Sequence, residues 1–472
     1  MSCININIPK IATKQLRVQE TNSGKKLVIS TNWLSLFGFD AGKKVVETVR
    51  GKGEGLEVRL AALDETERVK KVYSRTYKSR KNNPIETLLD IRSQPKLKES
   101  LGDCLQVHIT FQYGKITIVP LDDKKASRIQ KLQKSTQTLG AFVACSSGID
   151  ALSISKRMRI DALLEFRPHE KRDKTKDLSE TGALCAIDNI PVGALINEDI
   201  FKVNARMIQK LIAKRNTALL SVSTQCDDLS PVKAKSLKEK ALVLNSDGSL
   251  NTTVDMFYDV LRIMESCQFP FLLLENVGSL LGTDYHTFFK ARLNRWGYKV
   301  YEKIVDSSLH GGVQKRKRAY VFATSFEHIP FSFPEEHHEN LDAEKFWEMN
   351  VAPFLPSCRE VTHSKSIQDG ALCGRLRVVN EKSTHFPVLL KSQSRMAKDS
   401  LVICKDNRYY FPSEELEKHI MGVPASFSLE SASKSIASEI LGQAVEFSSH
   451  EKLMDEVMKH ILLSSKKITP ND

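Results

Sequence analysis

The chain has 472 residues, 27% of them charged and 41% hydrophobic, which is the balance of a globular protein with room for two or three domains. No apolar run approaches the ~20 residues that a membrane helix needs, and the amino terminus lacks the apolar core of a signal peptide. These features exclude a membrane-spanning protein and predict an intracellular one. The net charge of +13 favours a polyanionic partner, nucleic acid before membrane.

Nine cysteines are scattered singly along the chain, without a Cys-x-x-Cys pair. This spacing suggests neither a zinc site nor a disulfide framework, so we expect no bound metal. Reduced cysteines are typical of the cytoplasm. Together with the positive charge, they predict a cytoplasmic, nucleoid-associated protein.

Residues 1–125 are predicted to form a separate β-rich domain. Runs such as KKLVIS and KKVVETV alternate with glycine turns, and a weaker echo follows in LGDCLQVHITF and YGKITIVPL. Gly42 matches Gly102 in this echo, and the pair Leu56 and Val58 matches Ile116 and Ile118. Because hairpins this small seldom fold alone, we expect the two halves to share a core. The pattern loosely resembles the swapped-hairpin DNA-binding domains of the AbrB and MazE type, which would allow a homodimer, but an unrelated small β domain fits equally well.

A basic stretch, RVKKVYSRTYKSRK from Arg68 to Lys81, lies between the two halves and holds seven basic residues and no acid. Its cations could neutralise DNA phosphates while its two tyrosines stack on bases. The predicted DNA contacts are Lys70, Lys71, Arg75 and Lys78. The alternative is a solvated charged face.

Residues 126–138 read as a basic linker helix, and strands then alternate with helices from residue 139 to residue 330. The strand-like runs are GAFVACSS, DALLEF, ALLSVS, PFLLLENV, YKVYEKIVD and RAYVFATS. Helical stretches such as VDMFYDVLRIMES separate several of them. This alternation predicts a doubly wound α/β domain. Residues 331–405 are irregular and polar, and residues 406–472 return to helical periodicity.

Two chemically active side chains follow two of these buried strands. Glu275 comes at the end of FLLLENV, and Cys226 lies just past ALLSVS. If the two strands are neighbours, both side chains meet at the carboxyl edge of the sheet, where ligands bind in open α/β folds. A thiol near a carboxyl group, in a protein that binds nucleic acid, suggests nucleophilic attack on a base. The alternative is an inert small hydrophobe, against which the polar neighbours Asp227 and Asp228 argue.

In the segment GGVQKRKRAYVFA, alternating polar residues lead into a predicted strand. Gln314, Arg316 and Arg318 fall on one face of a strand, and Lys315 and Lys317 fall on the other. Two guanidiniums beside a thiol and a carboxylate would bind an anion or a carbonyl group.

This ordered set resembles the cytosine carbon-5 DNA methyltransferases: a cysteine past a strand, the triplet Glu-Asn-Val, then Gln-x-Arg-x-Arg before a strand. The match extends over residues 139–330 and 405–455. The positions that the family uses for S-adenosylmethionine fall on Ser147, Gly148, Glu165, Phe166, Asp199 and Gln443. The resemblance makes 139–330 a Rossmann-like catalytic domain, 331–405 the target-recognition region and 406–472 a return to the catalytic domain. It also implies double-stranded DNA as partner, and DNA methylation of the restriction-modification kind.

The resemblance implies a role for each catalytic residue. Cys226 would add to carbon 6 of a flipped-out cytosine, and Glu275 would hydrogen-bond the ring and share a proton. Arg318 would hold the base carbonyl, and Arg316 would help to fix the active-site loop. The lysine-containing segment behind Cys226 would close over DNA.

Several positions depart from the family pattern. Gln225 and Asp227 flank the nucleophile where the family has Pro and Gln, and Cys145 and Ser147 replace glycines of the cofactor loop. Gln443 stands where Asn is common. Backbone approach to the cofactor would be less free without these glycines. The leading prediction is an active DNA cytosine methyltransferase; the alternatives are a catalytically inactive DNA-binding regulator on the same scaffold, and an RNA cytosine methyltransferase.

Overall fold

The computed structural model describes residues 7–66, 69–79, 84–134, 138–170, 173–229, 252–338 and 342–466. The chain divides into two compact units, Met1–Ser127 and Arg128–Asp472. Among the described residues, no helix is both long and apolar enough to cross a membrane.

The amino-terminal unit consists of two antiparallel sheets and two short helices. Its strands are β1 Ala12–Arg17, β2 Gln19–Thr21, β3 Gly24–Ser30, β4 Lys44–Gly51, β5 Gly55–Leu60, β6 Val69–Lys71, β7 Tyr73–Thr76, β8 Ile85–Ile91, β9 Gln106–Gln112 and β10 Lys115–Pro120, and its helices are α1 Trp33–Leu36 and α2 Gln94–Leu101. One sheet has the order β1-β9-β10-β5-β4-β6, and the other has the order β2-β3-β8-β7. Alternate side chains of these strands point into one shared hydrophobic core.

The echo between the two halves of this unit has a structural counterpart. Strands β5 and β10 pair antiparallel, with Ile116 opposite Val58 and Ile118 opposite Leu56. All four side chains are buried in the same core, so the expectation of a shared core is confirmed. Both hairpins come from one chain. The resemblance to AbrB-type domains and the homodimer stay predictions.

One lysine of the basic stretch is engaged in contacts within the amino-terminal unit. The Lys70 ammonium lies 2.8 Å from the buried carboxylate of Glu47, and it also donates to the carbonyl of Asp90. Glu47 also contacts Lys96 at 3.6 Å, so one carboxylate is shared by two lysines, and the DNA contact of Lys70 stays a prediction. The side chains of Lys71, Arg75 and Lys78 are exposed. The flanking cations at 68, 80 and 81 lie outside the described residues.

The carboxyl-terminal unit is built on a seven-stranded sheet. Its strands are β11 Gly140–Ala144, β12 Arg159–Leu164, β13 Leu195–Ile196, β14 Thr217–Ser223, β15 Phe271–Val277, β16 Lys299–Asp306 and β17 Lys317–Thr324. The order is β13-β12-β11-β14-β15-β17-β16. Neighbours from β13 to β15 are parallel, and β17 runs antiparallel to both β15 and β16. All six predicted strands are present, and the short β13 is an addition.

Helices cover both faces of this sheet. They are α4 Ile149–Ser155, α5 Thr181–Asn189, α6 Ala205–Ile212, α7 Met256–Cys267, α8 Asp284–Arg295 and α13 Phe447–Ser465. One core packs side chains of α6, α7 and α8 on the face that carries Phe142 and Leu272. The other packs α4 and α13 on the face that carries Val143 and Leu273. Because successive strand residues point to opposite faces, the continuous apolar runs fill both cores. The predicted doubly wound α/β architecture is confirmed.

The region after the seventh strand is more regular than its composition predicts. It contains α9 Ala343–Asn350, β18 Arg359–Glu360, α10 Lys365–Leu372, β19 Arg377–Val379, β20 Leu401–Lys405, β21 Arg408–Phe411, α11 Glu414–Ile420 and α12 Lys434–Gln443. The strands form a four-stranded sheet in the order β18-β21-β20-β19. Three of these strands have four residues or fewer, too few to show a periodicity in the sequence.

Helix α3, Lys124–Lys134, carries a buried arginine into the carboxyl-terminal unit. Arg128 is 2% exposed. Its guanidinium donates to Ser325 Oγ at 2.8 Å, Gln268 Oε1 at 2.8 Å and the Trp296 carbonyl at 2.6 Å, and it lies 4.2 Å from the ring centre of Tyr298. From Arg128 onward, the predicted linker helix is therefore part of the carboxyl-terminal unit.

Replacing Arg128 with Met should lower the free energy of unfolding of this unit by about 2–4 kcal/mol, because buried acceptors lose charged donors. Urea denaturation of the full chain measures the change. Lys131→Met, at an exposed position on the same helix, is the control and should change stability by less than about 0.5 kcal/mol. Equal stabilities of the two variants would contradict an anchoring role.

Candidate active site

A cavity of about 220 Å³ lies at the carboxyl ends of four neighbouring strands. Cys145 follows β11, Glu165 follows β12, Cys226 follows β14 and Glu275 lies near the end of β15; all four line the cavity. Parallel strands bring their carboxyl ends to the same edge, which is why residues 130 positions apart meet there. The predicted convergence of Cys226 and Glu275 is therefore present.

The side chains of Glu275 and Arg318 form an ion pair across antiparallel strands. Arg318 lies on β17 opposite Val277 of β15, and its Nε is 3.1 Å from Glu275 Oε1. Burial raises the pKa of Glu275, and the guanidiniums of Arg318 and Arg316 oppose that rise. The result is a carboxyl group that can hold a proton within a cavity and is oriented by a cation.

The Cys226 thiol is half-buried beside this pair. Burial raises its pKa, Arg318 lowers it, and the carboxylates of Glu275 and Asp227 raise it further. The thiol form is therefore favoured, and ionisation depends on the balance of charges around the sulfur. Segment 230–248, which was predicted to close over DNA, lies outside the described residues.

Glu165 and its neighbours form the opposite wall of the cavity. Ser147 Oγ donates to Glu165 Oε1 at 3.2 Å, and burial raises the pKa of Glu165 from 4.5 to about 7. Phe166 and Asp199 also line this wall. The role of Gly182 in α5 was not foreseen from the sequence. A Cβ at this position would lie 2.4 Å from Glu165 Oε1, so only glycine leaves room for the Glu165 carboxyl group.

The loop between β11 and α4 keeps left-handed backbone at two positions. Gly148 has φ +113°, and a Cβ on it would lie 2.9 Å from the Ala186 Cα. Cys145 has φ +58°, a conformation that favours glycine. The loop thus adopts a glycine-type turn although a cysteine stands at its first position. Ser147 and Gln443 line the cavity. Gly148 lies between two lining residues, Ser147 and Ile149, and packs closely against Ala186 of α5; its contact with a cofactor stays a prediction.

The Gln-x-Arg-x-Arg alternation is present, but its first two members point into protein. Gln314 is fully buried; its Nε2 donates to the Ile420 carbonyl at 2.9 Å, and its Oε1 accepts from Leu389 N–H at 3.3 Å. The predicted DNA contact of Gln314 is wrong, because no face of it reaches solvent. The exposed Lys315 and Lys317 lie on the other side, as predicted.

Arg316 ties remote segments together. Its guanidinium donates to the carbonyls of Leu389 at 3.0 Å, Gly442 at 3.0 Å and Ala444 at 2.7 Å. Burial, and the nearby charge of Arg318, lower its pKa to about 9. It is not among the residues that line the cavity, and these three hydrogen bonds join it to the end of α12 and to Leu389. Arg316 thus positions the end of α12; its role in fixing the active-site loop stays a prediction, because residues 230–251 lie outside the described part of the chain.

Three further cavity residues were missed by sequence reasoning: Arg167, Lys391 and Glu439. Arg167 contacts Glu439 at 3.4 Å, and Lys391 contacts the same carboxylate at 3.8 Å. No pattern in the sequence singles out Lys391, because it comes from the irregular region 331–405. Within the described residues, no cluster of metal-ligating side chains is present.

Residues 189–459 match the sequence profile of the family described as C-5 cytosine-specific DNA methylase. That stretch is more than half of the chain. The chain belongs to this family. The resemblance that carried the sequence analysis is thereby confirmed.

Individual relatives match shorter stretches. The Type II methyltransferase M.MspI of Moraxella sp is 35% identical over 102 residues, 21% of this chain and 24% of that protein. The Type II methyltransferase M.BsuFI of Bacillus subtilis is 26% identical over 197 residues, 39% of this chain and 46% of that protein. The chain thus matches less than half the length of these relatives.

Solved structures share the fold. A mutant of Spodoptera frugiperda DNMT2 superposes with a TM-score of 0.50 at 14% identity, covering 68% of this chain and 99% of that one. The Entamoeba histolytica methyltransferase EhMeth superposes with a TM-score of 0.51 at 14% identity, covering 71% and 100%. At such identities the likeness concerns the fold alone.

Replacing Glu165 with Gln should stabilise this methylase-family protein at alkaline pH. The folded-state pKa lies above 4.5, so the folded chain holds this proton longer than the unfolded chain does, and stability falls as pH rises from there to about 7. Glu165→Gln removes that loss and should add up to about 3 kcal/mol at pH 8 and little at pH 4.5. Denaturation at the two pH values measures it, with the exposed Glu348→Gln as control. An equal gain at both pH values would contradict the assignment.

Proposed function

We propose that the protein is a DNA (cytosine-5-)-methyltransferase that acts on a flipped-out cytosine. The observation that carries the proposal is the meeting of Cys226, Glu275 and Arg318 at one cavity, in a chain whose family is the C-5 cytosine-specific DNA methylases. A nucleophile, a proton-holding carboxyl group and a guanidinium are the groups that addition to a cytosine ring needs.

The chemistry begins with the thiol. Cys226 loses its proton to solvent, and its sulfur forms a bond to carbon 6 of the cytosine ring while the electrons of the double bond between carbons 5 and 6 move toward carbon 5. Glu275 donates a hydrogen bond or a proton to the ring nitrogen, which neutralises the charge that the ring would otherwise gain. Its raised pKa suits it to this task, since a carboxyl group must hold a proton in order to donate one. After methyl transfer, solvent takes the proton from carbon 5, whose electrons re-form the double bond to carbon 6. The sulfur of Cys226 leaves as a thiolate, and the ring nitrogen returns its proton to Glu275.

Arg318 supports both partners. Its guanidinium orients the Glu275 carboxyl at 3.1 Å and lowers the pKa of the Cys226 thiol. It also lines the cavity, where its remaining donors can bind the carbonyl oxygen of the base.

The cavity has the charge that S-adenosylmethionine would need. Eight acidic and three basic side chains line it, although the whole chain has a net charge of +13. A local excess of carboxylates suits a cationic sulfonium ligand. Glu165 would accept from ribose hydroxyls, and Phe166 offers a ring face for adenine. When bound, this cofactor supplies the electrophilic methyl group that carbon 5 takes.

Double-stranded DNA is the proposed substrate. A base inside a stacked duplex cannot reach the cavity, so it must be flipped out at a cost of a few kcal/mol. The four-stranded sheet β18-β21-β20-β19 and its helices lie largely in region 331–405, which we propose selects the target sequence. The exposed cations of the amino-terminal unit would add affinity that does not depend on sequence.

Replacing Cys226 with Ser should abolish methyl transfer, because a hydroxyl is a far weaker nucleophile than a thiolate. Incorporation of tritiated methyl groups into DNA measures it, and DNA binding should stay largely intact. Cys373→Ser, at an exposed position, is the control and should keep full activity. Full activity of Cys226→Ser would exclude the mechanism, and transfer to RNA in place of DNA would change the substrate class.

Replacing Lys71, Arg75 and Lys78 with Ala should weaken DNA binding most at low salt. Each phosphate contact contributes roughly −0.9 to the slope of log affinity against log salt concentration, so the triple variant should flatten that slope by up to about 3. The methylated sequence should not change. Fluorescence anisotropy over a salt series measures the slope.

The control for this experiment removes three exposed lysines elsewhere in the same unit. These are Lys10, Lys52 and Lys98. A slope that flattens equally in both variants would reduce the effect to net charge, and an altered target sequence would move recognition into the amino-terminal unit.

A further inference from the structure

Lys391 lies among carboxylates next to the nucleophile. Its Nζ is 3.7 Å from Asp227 Oδ2, 3.0 Å from Glu170 Oε1 and 3.8 Å from Glu439 Oε1. Asp227 directly follows Cys226 in the chain, whereas Lys391 comes from a segment more than 160 residues later. The contact therefore links the nucleophile's turn to a remote part of the fold.

The three carboxylates differ in how they depend on Lys391. Glu439 also contacts Arg167 at 3.4 Å, and Glu170 also contacts Arg395 at 3.6 Å. In the part of the chain that the structure describes, Lys391 is the one cation within 4.0 Å of Asp227. Loss of Lys391 would leave Asp227 uncompensated, while each of the other two acids would keep a guanidinium.

The charge on Asp227 matters because of what lies beside it. Four charged groups act electrostatically on the Cys226 thiol: Arg318 of β17, Arg316 just before that strand, Glu275 of β15, and Asp227 of the same turn. The guanidiniums favour the thiolate, and the carboxylates disfavour it. Lys391 is itself held charged: burial opposes its charge, but Asp227, Glu170 and Glu439 together raise its pKa.

We propose that Lys391 is a positioning residue that binds and neutralises the Asp227 carboxylate, so that this carboxylate opposes ionisation of the neighbouring Cys226 thiol less strongly. The inference depends on the proposed function only in taking Cys226 as the nucleophile. It accounts for how the chain tolerates an acid at the position after its nucleophile, where a carboxylate would otherwise repel both the thiolate and the phosphates of DNA.

The test is the rate at which iodoacetamide alkylates Cys226 in the full chain as a function of pH, read by mass spectrometry of the Cys226 peptide. Lys391→Met should slow alkylation at pH 7.5 by about tenfold and move the midpoint of the pH profile upward, because an unscreened negative charge lies beside the thiol. Lys391→Arg keeps the cation and should alkylate at nearly the native rate. The double variant Lys391→Met with Asp227→Asn removes both charges and should recover that rate.

Glu170→Gln is the matched control, since it removes a carboxylate close to Lys391 that is not the neighbour of Cys226. It should alkylate at the native rate or faster. A slowing like that of Lys391→Met would show that the whole ion network matters, not the neutralisation of Asp227, and would overturn the proposal.

An unchanged rate and midpoint in Lys391→Met would also overturn it. If that variant does not fold, Asp227→Asn alone decides: faster alkylation at pH 7.5 supports the proposal, and an equal or slower rate excludes it. Alkylation needs neither cofactor nor DNA. A native chain that fails to transfer methyl groups would therefore count against the proposed function and leave this result intact.

Discussion

The ion pair between Glu275 and Arg318 allows an ionisable group to stand at the rim of an apolar sheet. Strand β15 is buried along its whole length, and a lone carboxylate there would carry a large desolvation cost. The antiparallel strand β17 lies beside β15 and brings a guanidinium to 3.1 Å from that carboxylate. The reversed direction of β17 matters, because it places the amino-terminal end of this strand, with Arg318, at the edge where the parallel strands have their carboxyl ends.

The cavity is assembled from segments that are far apart in sequence. The strand ends supply Cys226 and Glu275, α12 supplies Glu439 and Gln443, and region 331–405 supplies Lys391. Arg316 joins these parts by binding the carbonyls of Leu389, Gly442 and Ala444. A buried guanidinium with several backbone acceptors fixes distances more firmly than apolar contact does. Arg316, which the sequence pattern places among the catalytic residues, thus also holds these segments together.

The sequence predicts six of the seven strands of the large sheet. Most of these, β11, β12, β14, β15 and β17, are largely buried on both faces and read as continuous apolar runs, as in FLLLENV. The sequence predicts the small sheet poorly because strands such as Arg359–Glu360 are too short for a pattern. The alternation of side chains along a strand correctly placed Gln314, Arg316 and Arg318 on one face. It gave no information about which residues pack against that face. The sequence also did not reveal Glu47 as the ion-pair partner of Lys70, because Glu47 lies on the neighbouring strand β4. A local sequence pattern cannot show which remote segments contribute the contact partners of a side chain.

The late position of α12 and α13 has a consequence for synthesis of the protein. A ribosome releases the chain from its amino terminus, so strands β11 to β17 emerge before Ile436, Glu439, Ile440, Gln443 and Val445, which close one wall of the cavity. Helix α13 packs Leu453, Val457 and Ile461 on the sheet still later. During synthesis the sheet edge and the Cys226 thiol are therefore exposed on one side, and the cavity is complete only after α12 has been made.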